Sequence, residues 1–226
     1  MKRFARVANL CVVATLCVGA AAQAQTTQTT TAPGSAGDPR LYVEIHGGPT
    51  FGHKSNAFFG GEAGLRLVPG LDVFIEGGRM GNVGTSQLDI NAAKIAAFLG
   101  GTVGSTAFVV NYVNAGVRFN LNLLPALHPY VMMGAGIGKV TTEATFAVNG
   151  TAIDPAQFGV QLGGDLSGSN IKTMIVAGGG VNVPFMKQFF ADLGYRYGQI
   201  FPRTGHVETD KGIRTNRIVL GVGARF

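Results

Sequence analysis

RIVLGVGARF, Arg217 to Phe226, alternates at a period of two: Ile218, Leu220, Val222, Ala224 and Phe226 share one face, and Arg217, Val219, Gly221, Gly223 and Arg225 share the other. That is the spacing of a β-strand with one apolar side. It runs to an aromatic last residue, whereas chain ends usually fray unless something ties them down. A strand at this position needs a partner to hold it.

Seven more segments carry the same alternation: 41–51, 57–68, 71–80, 108–121, 128–140, 171–183 and 188–200. Each supplies about the 9–11 residues of a tilted bilayer crossing, longer than the usual soluble strand of about 5–6. Pro69-Gly70, LLPALHP and PFMK make short connections on one end. On the other end lie HKSN and three long stretches, at about 81–107, 141–170 and 201–216. Short turns on one side and long loops on the other are the connectivity of an up-and-down barrel with an even number of strands.

The two faces differ in chemistry. Val43, Ile45, Phe59, Leu65, Ile75, Val113, Met133, Ile137, Ile175 and Leu193 fall on one. Glu44, His46, Glu62, Arg66, Asp72, Glu76, Asn114, Arg118, Asp192, Arg196, Arg217 and Arg225 fall on the other, among many of the 35 glycines. Charged residues make up 13% of the chain, about half the share of a soluble domain. Aromatics bound the apolar register at both ends: Phe119, Phe189 and Phe226 near the short turns, Phe51, Phe59 and Tyr197 near the long loops. Two aromatic girdles around an aliphatic band fit the two interfaces of a membrane, with the apolar face outward and the charges inward. Sheet edges cannot stand open in lipid, so the strands must close and 217–226 must pair with 41–51. The fold expected is all-β, an eight-stranded antiparallel up-and-down transmembrane β-barrel.

The beginning of the sequence fits export. Lys2, Arg3 and Arg6 precede the apolar run Leu10–Ala22, and Ala22-Gln23-Ala24 reads as a cleavage site. Residues 1–24 are therefore expected to be a signal peptide, 25–40 a flexible Thr/Gln-rich leader, and 41–226 the barrel domain. Cleavage would remove both cysteines, Cys11 and Cys17, and lower the net charge from +6 to +3. The basic balance thus gives no nucleic-acid footprint.

With these features the chain resembles small eight-stranded bacterial outer-membrane β-barrel proteins, the group that includes the OmpA-type transmembrane domain and the opacity-type proteins. The resemblance spans Leu41 to Phe226. It implies residence in the bacterial outer membrane, contact with outer-membrane lipid, and a monomeric barrel. It also implies that Ile218, Leu220, Val222, Ala224 and Phe226 form a signal read by the outer-membrane assembly machinery.

Function is less legible. An eight-stranded barrel is just wide enough for its interior to be filled by side chains. Five acids, Glu44, Glu62, Asp72, Glu76 and Asp192, face six bases, Arg66, Arg118, Lys172, Arg196, Arg217 and Arg225, so the expected lumen is a paired charge network acting as a plug, with Gly64, Gly116, Gly180 and Gly194 making room. A role in envelope structure or surface interaction follows, and a narrow channel for small or hydrophobic solutes is the alternative. A second alternative is an outer-rim lipid-modifying enzyme. Its candidate residues are His53 and the stretch with His206, Glu208 and Asp210, but no serine accompanies them in a recognisable pattern. No catalytic, metal or cofactor site is assigned, and Asp154 with Asp165 does not form a calcium loop. Leu88–Leu99 reads either as a short helix, with Asp89 as its N-cap and Gly100 as its stop, or as part of an extended hairpin. An extracellular ligand is left unnamed.

Overall fold

The computed structural model describes residues 40–121, 127–148, 150–160, 166–202 and 212–226. The expected signal peptide and all of the leader but Arg40 lie outside them. Eight long strands run antiparallel to their neighbours: β1 (Leu41–Phe51), β2 (Asn56–Val68), β3 (Leu71–Met80), β4 (Thr102–Asn120), β5 (His128–Val148), β7 (Ser167–Pro184), β8 (Phe189–Ile200) and β9 (Ile213–Arg225). The short β6 (Thr151–Ile153) folds back on the end of β5. β9 pairs with β1 from Tyr42↔Arg225 to Phe51↔Asn216, which closes the sheet.

Closure fixes the barrel's shape. A path from Leu41 through its paired residues Leu65, Val73, Val117, Met133, Ala177, Tyr197 and Asn216 returns to β1 at Phe51, ten residues further along. Eight strands with that stagger tilt by about 40°. Every residue therefore has its height and its face set by the register. Ile45 is 75% exposed while its neighbours Glu44 and His46 are buried. The outward register carries the aliphatic band (Val43, Ile75, Val113, Met133, Leu193 and Leu220 are all exposed) that water would tolerate poorly over so large an area.

Phe226 lies beside the first strand. Its N–H donates to the Leu41 carbonyl at 2.8 Å, and its own carbonyl accepts from Arg40 at 2.8 Å and Leu41 at 3.2 Å. At the β2–β3 turn Gly70 adopts φ +85°, which Pro69-Gly70 supplies at no steric cost.

The long connections differ from their expected extent. β4 begins at Thr102, β5 continues to Val148 and β7 starts at Ser167, so 102–107 and about half of 141–170 are strand rather than loop. The reason lies in β-branched stretches such as TTEATFAV, which pair across β4 and β5 from Phe108↔Thr142 up to Thr102↔Ala147. The resulting ribbon stands beyond the aliphatic band and needs cover. Helix α1 (Ser86–Phe98) provides it: Ala92 and Ala96 are buried with Phe146 and Leu166, and Leu88 and Ile95 pack alongside. Gly100, at φ +65°, turns the chain out of the helix as expected. The N-cap, however, is Thr85 and not Asp89, which sits in the first turn.

The seam is testable. Val43 and Ala224 are directly paired on β1 and β9, where Cα atoms are about 4.5–5.5 Å apart, inside disulfide range. Residues 25–226 contain no cysteine. The Val43→Cys, Ala224→Cys protein should oxidise readily and then resist the heat-induced gel shift that the reduced form shows. Absence of the cross-link in a folded barrel would contradict the closure.

Candidate functional site

Inward-facing side chains meet across the lumen, because the tilt brings residues of distant sequence to one level. Glu76 of β3 is the hub. Its Oε1 is 2.7 Å from Arg196 Nη1 and 3.1 Å from Arg217 Nη1, and it accepts the Tyr112 hydroxyl at 2.8 Å. His46 Nε2 stands 3.5 Å away, and His46 Nδ1 lies 3.1 Å from Glu44. Glu62 joins two guanidiniums, with Arg118 Nη2 at 2.6 Å and Arg196 Nη2 at 3.1 Å. It also accepts the Tyr42 hydroxyl at 2.5 Å. Arg118 Nη2 and Arg196 Nη2 approach Glu44 at 3.8 and 4.0 Å. Glu44, Glu62, Glu76, Arg118, Arg196 and Arg217 are each no more than 3% exposed.

Aromatic rings hold the guanidiniums in place. Arg118 lies over Tyr130 at 4.2 Å and over Tyr42 at 4.9 Å, and Arg217 lies over Tyr112 at 4.8 Å and Phe58 at 5.3 Å. A cation between ring faces is attracted by their quadrupoles while its N–H groups stay free for carboxylates. Glycines make the space. At Gly64 a Cβ would collide with the Tyr42 ring, and at both Gly180 and Gly194 it would stand 2.8 Å from the Tyr130 hydroxyl.

Of the lumen residues anticipated, Glu44, Glu62, Glu76, Arg118 and Arg196 come together in this way. Asp192 takes a 2.9 Å hydrogen bond from Tyr130 at the edge of the cluster. Arg66 and Asp72 pair apart from it, 3.6 Å from each other, at the short-turn mouth. Arg225 stacks on Phe190 at 4.7 Å, also at that mouth. A pit there, lined by Tyr42, Arg66, Asp72, Arg118 and Arg225 among others, measures about 10 Å³, room for about one water. Arg217 and His46, inward by parity, also join the network, at Glu76 and Glu44; Tyr42, Tyr112 and Tyr130 are members that the charge pattern did not mark. Their inward parity was the available signal, since Tyr42 precedes Glu44 by two and Tyr112 precedes Asn114 by two.

The outer part of the lumen departs from the polar-interior expectation. Phe58, Met80, Phe108, Val110, Met174, Ile200 and Ile213 form a continuous buried cluster there. The register places it above the charge network, towards the long connections. Val83 belongs to the cluster and Leu88 of α1 packs against it. The lumen is thus charged in its inner part and apolar in its outer part.

At the outer rim His53 Nε2 is 3.0 Å from Asp89 Oδ2. Asp89 Oδ1 accepts Lys54 Nζ and the Thr106 hydroxyl, each at 2.8 Å, tying helix α1 to β4 and to the β1–β2 connection. Among the described residues His53 hydrogen-bonds no serine, and no group of three His, Cys, Asp or Glu could hold a metal ion. His206, Glu208, Asp210 and Asp165 lie outside the described residues. Burial would raise the Asp89 pKa, but the bonds from Lys54, Thr106 and His53 outweigh it and hold the carboxyl below its usual range. Its tethering is therefore complete above the ordinary aspartate value near 3.8 and is lost as pH falls through the depressed one. Backbone NMR shifts of α1, followed from about pH 5 to about pH 2, should move with a titration that Asp89→Asn abolishes. An unchanged titration in the variant would contradict the tether.

Comparison with known proteins follows the same outline. A family profile described as "Outer membrane protein beta-barrel domain" matches residues 10–226. No curated protein matches the chain. Among solved structures, Neisserial surface protein A (NspA) is 18% identical with a TM-score of 0.51, covering 82% of this chain and 97% of that one. The N-terminal β-barrel domain of Pseudomonas aeruginosa OprF is 18% identical with a TM-score of 0.47, covering 84% and 100%. Ail, the attachment invasion locus protein of Yersinia pestis, is 18% identical with a TM-score of 0.46, covering 84% and 99%. At 18% identity the likeness to NspA is one of fold. With the profile spanning nearly the whole sequence and a closed eight-stranded barrel beneath it, the chain belongs to the outer membrane protein beta-barrel domain family of the bacterial outer membrane.

Proposed function

We propose that this protein is a sealed outer-membrane barrel that acts through its wall and outer face, in envelope structure or surface interaction, and not by passing solutes through its lumen. The observation that carries the reading is the set of three guanidiniums and three carboxylates packed across the lumen, each no more than 3% exposed.

Two barriers lie in series. An ion entering from the short-turn end would have to displace Arg118 from between Tyr42 and Tyr130, and then part Arg196 and Arg217 from Glu76. Removing one partner of a buried ion pair leaves an uncompensated charge, at a cost of about 3–5 kcal/mol. Beyond the charges it would meet Phe58, Met174 and Ile200, an apolar stretch of the kind that excludes water and gates by dewetting. Neither barrier suits steady conduction. Helix α1 and the β4–β5 ribbon, by contrast, present structured surface outside the band.

Planar-bilayer recording tests the proposal. The wild-type barrel should give no discrete steps, while Arg118→Ala combined with Phe58→Ala, which shortens a side chain in each barrier, should give measurable ones. Folding of both proteins is checked by heat-modifiable migration. Large steady steps from the wild type would overturn the sealed reading.

A further inference from the structure

The outward face holds a second arrangement of charge, separate from the lumen. Along β3, β4 and β5 the outward register is apolar through Ile75, Val113 and Ile137, and then reaches Arg79, Asn111 and Lys139. These three are cross-strand neighbours, since Arg79 pairs with Asn111 and Asn111 pairs with Lys139. All three are exposed. Directly paired residues have Cα atoms about 4.5–5.5 Å apart, so the Cα atoms of Arg79 and Lys139 lie about 10 Å apart on either side of Asn111.

No carboxylate neutralises them. The nearest outward side chains on these and the adjoining strands are Phe59, Val109, Val113, Ile137, Thr141 and Ile171. Among the described residues, neither Arg79 nor Lys139 takes part in an ion pair. Their charge therefore stands uncompensated by protein at the upper edge of the aliphatic band. Arg214 of β9 is exposed at the same edge. The opposite edge is different: Leu67, Leu121, Phe189 and Phe226 face outward there and are all exposed apolar groups.

We infer that Arg79, Asn111 and Lys139 form a docking surface for the phosphorylated headgroup of an outer-leaflet lipid. The ligand must present anionic oxygen at the band's edge and acyl chain below it, and a phosphorylated lipid does both. The Arg79 guanidinium can take two phosphate oxygens through parallel N–H bonds, Lys139 adds a point charge, and the Asn111 amide can donate between them. Phe59, Val113 and Ile137 lie on the membrane side, where the acyl chains would pack. Two lone cations could reach bulk water simply by extending past the interface. Arg79, Asn111 and Lys139 are instead directly paired in one row of donors, and the next outward acid on these strands, Glu143, stands four residues beyond Lys139.

The test is lipid retention by the full barrel. The folded protein is exchanged into detergent with lipid A, or with lipid A dephosphorylated enzymatically, and bound lipid is counted by native mass spectrometry. Wild type should retain lipid A about tenfold better than the dephosphorylated form, a preference of the size expected for a pair of charge-assisted hydrogen bonds. Arg79→Gln with Lys139→Gln should reduce the preference to about twofold or less, and Arg79→Lys with Lys139→Arg should preserve most of it. Heat-modifiable migration confirms that each variant is folded. Equal retention of the two lipids by wild type, or an undiminished preference in the double glutamine variant, would overturn the inference.

Discussion

Glu76 is the residue on which the interior depends. One carboxylate oxygen meets Arg196, Arg217 and the Tyr112 hydroxyl within 3.1 Å, and the residue is wholly buried. A carboxylate in such a place is stable only if several donors converge on it. Those donors come from β4, β8 and β9, so the hub is satisfied only when the sheet has closed. Closure in turn places β9 against β1 and brings Arg217 to the level of Glu76. The charge network and the barrel wall thus require each other: lipid demands a sheet without edges, and the closed sheet makes a lumen narrow enough for buried ions to pair.

The layering along the axis follows from the same register. Below the hub, Arg118 sits between Tyr42 and Tyr130 beside Glu62 and Glu44. Above it, the interior turns apolar through Phe58, Met174 and Ile200 and meets the cover formed by α1. Glycine contributes by absence. At Gly64, Gly180 and Gly194 a side chain would occupy space now taken by a tyrosine ring or hydroxyl. A polar inner part and a greasy outer part describe a filled barrel, and the chemistry left for its surroundings lies on the lipid face and the outer rim.

Strand alternation made the architecture readable from residues alone. Parity assigned Ile45 outward and Glu44 inward, and the impossibility of an open edge in lipid paired 217–226 with 41–51. Parity says nothing of height, and height decides contacts. Arg217 meets Glu76 only because the sheet shifts by ten residues per circuit, a quantity invisible without the pairings. For the same reason Arg66 and Arg225, inward by parity like the others, end at the mouth and not at the hub. The apolar upper lumen was missed because Met80, Val110 and Met174 look alike whether they face lipid or the interior. The outer extensions of β4 and β5 read as loops because Thr, Ser and Gly dominate them and their apolar face is short, limited to residues such as Val103, Ala144 and Phe146. Leu88–Leu99 could be narrowed only to helix or hairpin, since the burial that settles it comes from Phe146 on another strand.

The central claim is that Glu76 and its arginines act as one buried unit. A double-mutant cycle on Glu76→Gln and Arg196→Met, with unfolding by urea from lipid vesicles, measures this directly. Each single change should cost about 3–5 kcal/mol, because it strands a buried partner. The double variant should cost less than their sum by clearly more than about 0.5 kcal/mol. Single costs that add within about 0.5 kcal/mol would show that the two groups do not depend on each other, and would contradict the account.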